Sequence, residues 1–163
     1  MNYMRALFLG LLCLTLTAVS SFAQNAQVSF GSLRADPSLP VEVTADTLDV
    51  DQSTGQAVFS GNVLIGQGEM RLAAQRVLVI YTEGGRGIER MEATGGVTLV
   101  SGPDAAEAER ADYTIDSGVI VMTGNVLLTQ GPSALAADRM TVNLTSGTAQ
   151  MVGRVKTILQ TGD

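Results

Sequence analysis

Residues 58–81 read VFSGNVLIGQGEMRLAAQRVLVIY, and residues 121–144 read VMTGNVLLTQGPSALAADRMTVNL. Superposed without a gap, they share 12 of 24 positions: Val58, Gly61, Asn62, Val63, Leu64, Gln67, Gly68, Leu72, Ala73, Ala74, Arg76 and Val79 with their partners. A repeat at this spacing marks copies of one small structural unit. Within the second copy Met140-Thr141-Val142-Asn143-Leu144 alternates apolar and polar residues, and both copies are broken by glycine-bearing turns. Alternation of period two gives strands with one buried and one wet face. An array of such units places function on an extended surface or a continuous interior, and not in one catalytic pocket.

The repeat extends outward. Residues 45–63 match residues 137–155 through Ala-Asp, Val50 or Val142, Gly55 or Gly147, Ala57 or Ala149, Gly61 or Gly153, and Val63 or Val155. A shorter version runs from Ala111-Asp112 to Gly124-Asn125-Val126, and Gly95-Gly96-Val97 is a looser copy. A Gly-x-Val strand start thus appears at Gly61, Gly124 and Gly153, and from Gly61 the frame recurs at intervals of 34, 29 and 29 residues, each holding several strands and suggesting one layer of a stack. Turn signals such as Ser53-Thr54-Gly55, Ser101-Gly102-Pro103-Asp104 and Asp116-Ser117-Gly118 fall between short alternating runs. That spacing predicts an all-β fold. Residues 107–111 are the one stretch that also suits a helical turn.

Strand parity then assigns faces. Thr141 and Asn143 belong in water, so Met140, Val142 and Leu144 point inward. The repeat carries Val77, Val79 and Tyr81 with them, and Val63, Ile65, Val126 and Leu128 follow. Val41, Val43, Val97, Leu99, Tyr113 and Ile115 complete the inward set, while Leu78 and Ile80 fall outside.

The flanks read differently. Residues 1–23 carry one early cation, Arg5, then an apolar run and a Ser21-Phe22-Ala23 ending. This is the pattern of a secretory signal peptide cut after Ala23. Its apolar core is short for a membrane span. Cleavage removes Arg5 and the only cysteine, Cys13, leaving 140 residues of net charge −7 without Cys, His or Trp. Such a chain is held by its core and backbone hydrogen bonds alone. Its acidity speaks against nucleic acid. Residues 24–40 show no clear periodicity and read as a linker or loose arm, residues 41–159 as the domain, and residues 160–163 as a tail.

The residues speak against catalysis. There is no histidine and, after cleavage, no thiol. Asp46, Asp49 and Asp51 cluster before Gly55, but an EF-hand loop needs glycine sixth and glutamate twelfth. Counted from Asp49, Gly55 is seventh and Ser60 twelfth. No enzyme activity, cofactor or metal is expected.

The blocks Phe59-Ser60-Gly61-Asn62-Val63 with Gln67-Gly68, and Met122-Thr123-Gly124-Asn125-Val126, resemble the lipopolysaccharide-transport periplasmic bridge family, also called the OstA-like or LptA family. The resemblance covers about residues 40–155. It implies an OstA-like β-jellyroll of stacked antiparallel strands, open at both ends and shaped like a slightly open V. It implies a periplasmic protein whose apolar groove shelters the acyl chains of lipid A. Copies would assemble head to tail and join inner-membrane and outer-membrane partners of related fold. On this reading the inward set lines the groove, and the scarcity of aromatics leaves it incompletely filled. Arg71, Arg76 and Arg139 are candidates for phosphates. The end strands would be residues 41–45 and 154–159, whose free backbone groups invite strand addition. The alternatives are a membrane-anchored partner of the same export machine and a structural β-solenoid without lipid.

Overall fold

The computed structural model describes residues 26–29, 36 and 38–158. They form eleven strands: β1 (Ala26–Ser29), β2 (Glu42–Thr44), β3 (Thr47–Asp51), β4 (Gln56–Gln67), β5 (Met70–Tyr81), β6 (Ile88–Ser101), β7 (Asp104–Thr114), β8 (Val119–Gln130), β9 (Ser133–Asn143), β10 (Thr148–Val152) and β11 (Lys156–Ile158). The order is β1-β10-β9-β8-β7-β6-β5-β4-β2, with β3 also beside β4 and β11 also beside β9. All pairs are antiparallel. The all-β expectation holds, and residues 107–111 lie inside β7.

Every long strand is interrupted near its middle. Register shifts fall between Ser60 and Val63, Ala73 and Arg76, Thr94 and Val97, Glu107 and Arg110, and Thr123 and Val126. The repeated Gly-Asn lies in these gaps. Gly124 has φ +86° and Asn125 φ +47°, backbone that glycine adopts freely and asparagine tolerates. A Cβ on Gly124 would stand 2.7 Å from the Glu109 Cβ. The corner is then tied by side chains. Asn125 Nδ2 donates to Glu109 Oε1 at 2.7 Å, and Asn62 Nδ2 to Asp46 Oδ2 at 2.9 Å. At the third copy Arg154 Nε donates to Asp138 Oδ1 at 2.9 Å. Gly95-Gly96, both at positive φ, faces Gln75 in the fourth.

These corners fold the sheet into two leaves that share one hydrophobic core. The first leaf holds β3, residues 56–60, 76–81, 88–94, 110–114, 119–123 and 139–143, then β10 and β1. The second holds β2, residues 63–67, 70–74, 97–101, 104–108, 126–130 and 133–137, then β11. β2 and β3 are two halves of one end strand, and β10 and β11 two halves of the other.

Three expectations are revised. Each repeat interval, read as one layer of a stack, is a hairpin of a meander. The acid matching Asp46 and Asp138 in the middle copy is Glu109, after Ala108, and not Asp112, which sits in the β7 ladder opposite Glu92. Both Ala-acid pairs fit the pattern, and only the corner selects one. The arm contains β1, antiparallel to β10 with Ala26 opposite Met151 and Val28 opposite Ala149. Four alternating residues are too few to signal a strand, so the pairing partner decides. The signal-peptide and tail segments lie outside the described residues.

Candidate functional site

Inward side chains line up across the strands in continuous rows. Nearest the corners on the first leaf run Leu48, Phe59, Val77, Ala93, Ala111, Met122, Met140 and Met151. Beside them run Val50, Ala57, Val79, Met91, Tyr113, Ile120, Val142 and Ala149. The second leaf answers with Val43, Ile65, Leu72, Leu99, Ala106, Leu128 and Leu135, closed by Thr157. Eight strands at the usual spacing give an apolar interior roughly 34 Å long.

Of the thirteen residues expected to line a groove, Val63, Ile65, Val77, Val79, Val97, Leu99, Tyr113, Val126, Leu128 and Val142 are buried in this core. Val41, Val43 and Ile115 pack against it, half-buried. The parity argument therefore finds the interior face. It does not find an unfilled one: the leaves meet in side-chain contact. The space that aromatics leave is taken by methionine. Met70, Met91, Met122, Met140 and Met151, every methionine after residue 4, are exposed by 2 % or less. Strand parity in the sequence points only Met140 of these inward. The row positions of Met122 and Met151, opposite Ala111 and Met140, were available from the repeat.

Apart from Met70, opposite Gln67, the row farthest from the corners on the second leaf is polar. Gln67, Ser101 and Asp104 are buried there. Tyr113 of the first leaf donates its hydroxyl to Gln67 Oε1 at 2.8 Å, and Gln67 Nε2 donates to the Leu39 carbonyl at 3.0 Å. This tie joins the two leaves on the side away from the corners. Burial raises the Tyr113 pKa, so the phenol stays a proton donor.

The ends of the stack differ. At the β2/β3 end Leu48 and Val50 occupy inward row positions yet are 53 % and 61 % exposed. A recess of about 400 Å³ opens there between Val43, Ala45, Leu48 and Phe59. Another, of about 640 Å³, lies between Val50, the 51–56 turn and Tyr81. At the β10 end Ala149 and Met151 are each only 1 % exposed. Here β1 covers the edge of the first leaf.

Apart from Asp104, no charged side chain of the described residues is buried. Arg110 lies 2.8 Å from Glu92 and 2.7 Å from Asp112, and these partners raise its pKa. Asp51 accepts from the Ser53 hydroxyl at 2.6 Å and its amide at 2.9 Å, which lowers its pKa and closes a turn. The acid cluster is thus split between a corner and a turn. Among the described residues no three acidic, histidine or cysteine side chains are placed to hold a metal. Arg71 folds back onto the Met70 carbonyl at 2.8 Å, while Arg76 and Arg139 are exposed. The outward Leu78 and Ile80 are half-buried, opposite Val58 and Gln56.

The family described as "LptA/(LptD N-terminal domain) LPS transport protein" matches residues 42–148. An uncharacterised protein of Rhizobium meliloti (strain 1021) is 28% identical over 115 residues, 66% of this chain and 62% of that protein's length. The chain thus spans less than two thirds of that relative. The fold is similar to the crystal structure of LptH, the LptA-homologous periplasmic component of the lipopolysaccharide transport device of Pseudomonas aeruginosa. The TM-score is 0.69 at 17% identity, covering 77% of this chain and 99% of that one.

Proposed function

The chain belongs to the LptA/LptD N-terminal domain family of lipopolysaccharide transport proteins, a family of carriers and not of enzymes, and from that premise we propose how it works. It holds the acyl chains of lipid A between its two leaves in the periplasm. Copies join end to end, with related folds on the inner- and outer-membrane partners capping the bridge. The observation that carries the reading is the run of apolar rows, uninterrupted across eight strands and exposed at the β2/β3 end.

A lipid with several acyl chains cannot cross water unaided. Hiding each methylene is worth roughly 0.8 kcal/mol. Rows of Val, Leu and Ile supply that burial without directional bonds, so a chain slides along them at nearly constant energy. Entry requires the filled interior to part. The five methionines make this feasible, because an unbranched thioether changes shape at little cost. The Tyr113–Gln67 bond is the polar contact to break when the leaves part. Sugars and phosphates remain outside, in water.

Mass spectrometry of lipid co-purified with the exported protein tests this. Lipid A species should appear in stoichiometric amount, and Leu48→Asp with Val50→Asp should abolish them while the fold persists. One observation favours a second reading, a structural β-solenoid: the inward rows are closely packed. A protein that captures no acyl chain under any condition would be of that kind. Retention of residues 1–23 would instead point to a membrane-anchored partner.

A further inference from the structure

The repeat sorts the strands of the first leaf into two classes. One class follows a corner side chain: β3 after Asp46, residues 76–81 after Gln75, residues 110–114 after Glu109, and residues 139–143 after Asp138. The other class precedes a corner glycine: residues 56–60 before Gly61, 88–94 before Gly95, 119–123 before Gly124, and β10 before Gly153. The classes alternate. Residues 56–60 lie between β3 and 76–81, residues 88–94 between 76–81 and 110–114, and residues 119–123 between 110–114 and 139–143. β10 has 139–143 on one side. Its other side is thus a place for a corner-following strand, and β1 holds it.

Among the described residues one corner-following strand has a free edge, and it is β3 at the opposite end. Its five residues match the five of β10. Its direction is right, since both classes alternate antiparallel throughout. Its rows are right as well. Within the chain Leu48 stands opposite Phe59, and Val50 opposite Ala57. By the repeat, Met151 and Ala149 hold the places of Phe59 and Ala57. A second copy's β3 would therefore set Leu48 opposite Met151 and Val50 opposite Ala149, where β1 sets Ala26 and Val28. That contact would cover two residues now more than half exposed.

We propose that β1 is a self-supplied cap on the edge of β10, and that assembly exchanges it for β3 of a second copy. The proposal rests on the end-to-end reading above. It adds that association is a competition between a tethered four-residue strand and an untethered five-residue one. Concentration decides the winner, because the cap is intramolecular and the incoming strand is not. The exchange also joins the apolar rows of the two copies, so that the interior continues only where a neighbour has docked.

The test uses the exported and processed protein, in which cysteine is otherwise absent after residue 13. Cysteine pairs replace Gln27 with Gln150 in one variant and Val28 with Ala149 in another, since these are opposite in register. Adjacent antiparallel pairs alternate between close and wide types, so one of the two suits a disulfide. A third variant lacks residues 26–32. Chain length is read by light scattering against concentration. The deletion should assemble at a roughly tenfold lower concentration than the parent. The oxidised pair should stay monomeric and regain assembly on reduction. Chains formed equally by the oxidised pair and the parent would overturn the cap and leave end-to-end assembly standing. No chains from any variant, the deletion included, would overturn end-to-end assembly and the cap with it. Should both cysteine pairs prevent folding, the deletion against the parent decides alone: unchanged assembly refutes the cap.

Discussion

The two ends of the sheet are built from equivalent strands and finish differently. β3 and β10 flank the same rows, yet Leu48 and Val50 stand in solvent while Met151 and Ala149 are sealed. The strand sequences do not cause this. Among the described residues the difference is one neighbour: β10 has β1 on its outer side, and β3 has no strand beyond β4. A repeat protein cannot bury its terminal faces without caps. Here one end is capped by residues 26–29 of the same chain, and the other is left as an apolar opening. An opening of that kind invites strand addition and is managed by occupying it.

The largest test of this contrast is paired truncation along one row. Met151→Ala should cost about 2–5 kcal/mol, the range for emptying a packed position. Leu48→Ala at the other end of that row should cost within about 0.5 kcal/mol, since its surroundings are already wet. Denaturant unfolding of the two variants reads both values. Similar losses would mean the ends are packed alike.

A smaller effect is expected at the tie between the leaves. Tyr113→Phe removes the donor to Gln67 Oε1 and should cost about 1 kcal/mol, the net worth of an ordinary hydrogen bond. It should also speed uptake of a fluorescent acyl probe, because the leaves part with one tie fewer. Slower uptake would mean that the bond shapes the path rather than guarding it.

The smallest effect distinguishes the corners. At the sealed end Arg154 holds the Asp138 carboxyl below its ordinary pKa, whereas the open-end corner uses the uncharged amide of Asn62. A depressed carboxylate contributes stability above its unfolded pKa, near 4, and loses it as pH falls through the folded value. Amide exchange of β10 and β11 should therefore accelerate below about pH 4. Because the pair is exposed, high salt should weaken the contribution. Exchange at these strands that is independent of pH after correction for the intrinsic rate would remove the ion pair from the account.

Much of this was legible in residues. The repeat and the period of two yield the all-β fold and the interior face of Val77, Val79, Leu99 and Val142, but they read Gly61 and Gly124 as strand starts, where the structure has mid-strand corners at positive φ. Parity is a local property, so short strands report it well. How far the two leaves approach is not local, and the filled interior followed instead from where Met70, Met91 and Met122 meet residues far away in sequence. β1 was hidden for the same reason: Ala26-Gln27-Val28-Ser29 is a strand only because β10 has a free edge. The ambiguity between Asp112 and Glu109 likewise needed the Asn125 contact to resolve.

The central claim is that lipid occupies the interior rows and reaches them at the open end. A photo-crosslinking residue at Leu48 faces the interior, and one at Asp49, the next position of the same edge strand, faces outward by the alternation of β3. In cells exporting lipopolysaccharide, the account predicts lipopolysaccharide adducts at Leu48 and none above background at Asp49. Equal labelling of the two, or labelling at Asp49 alone, would contradict it.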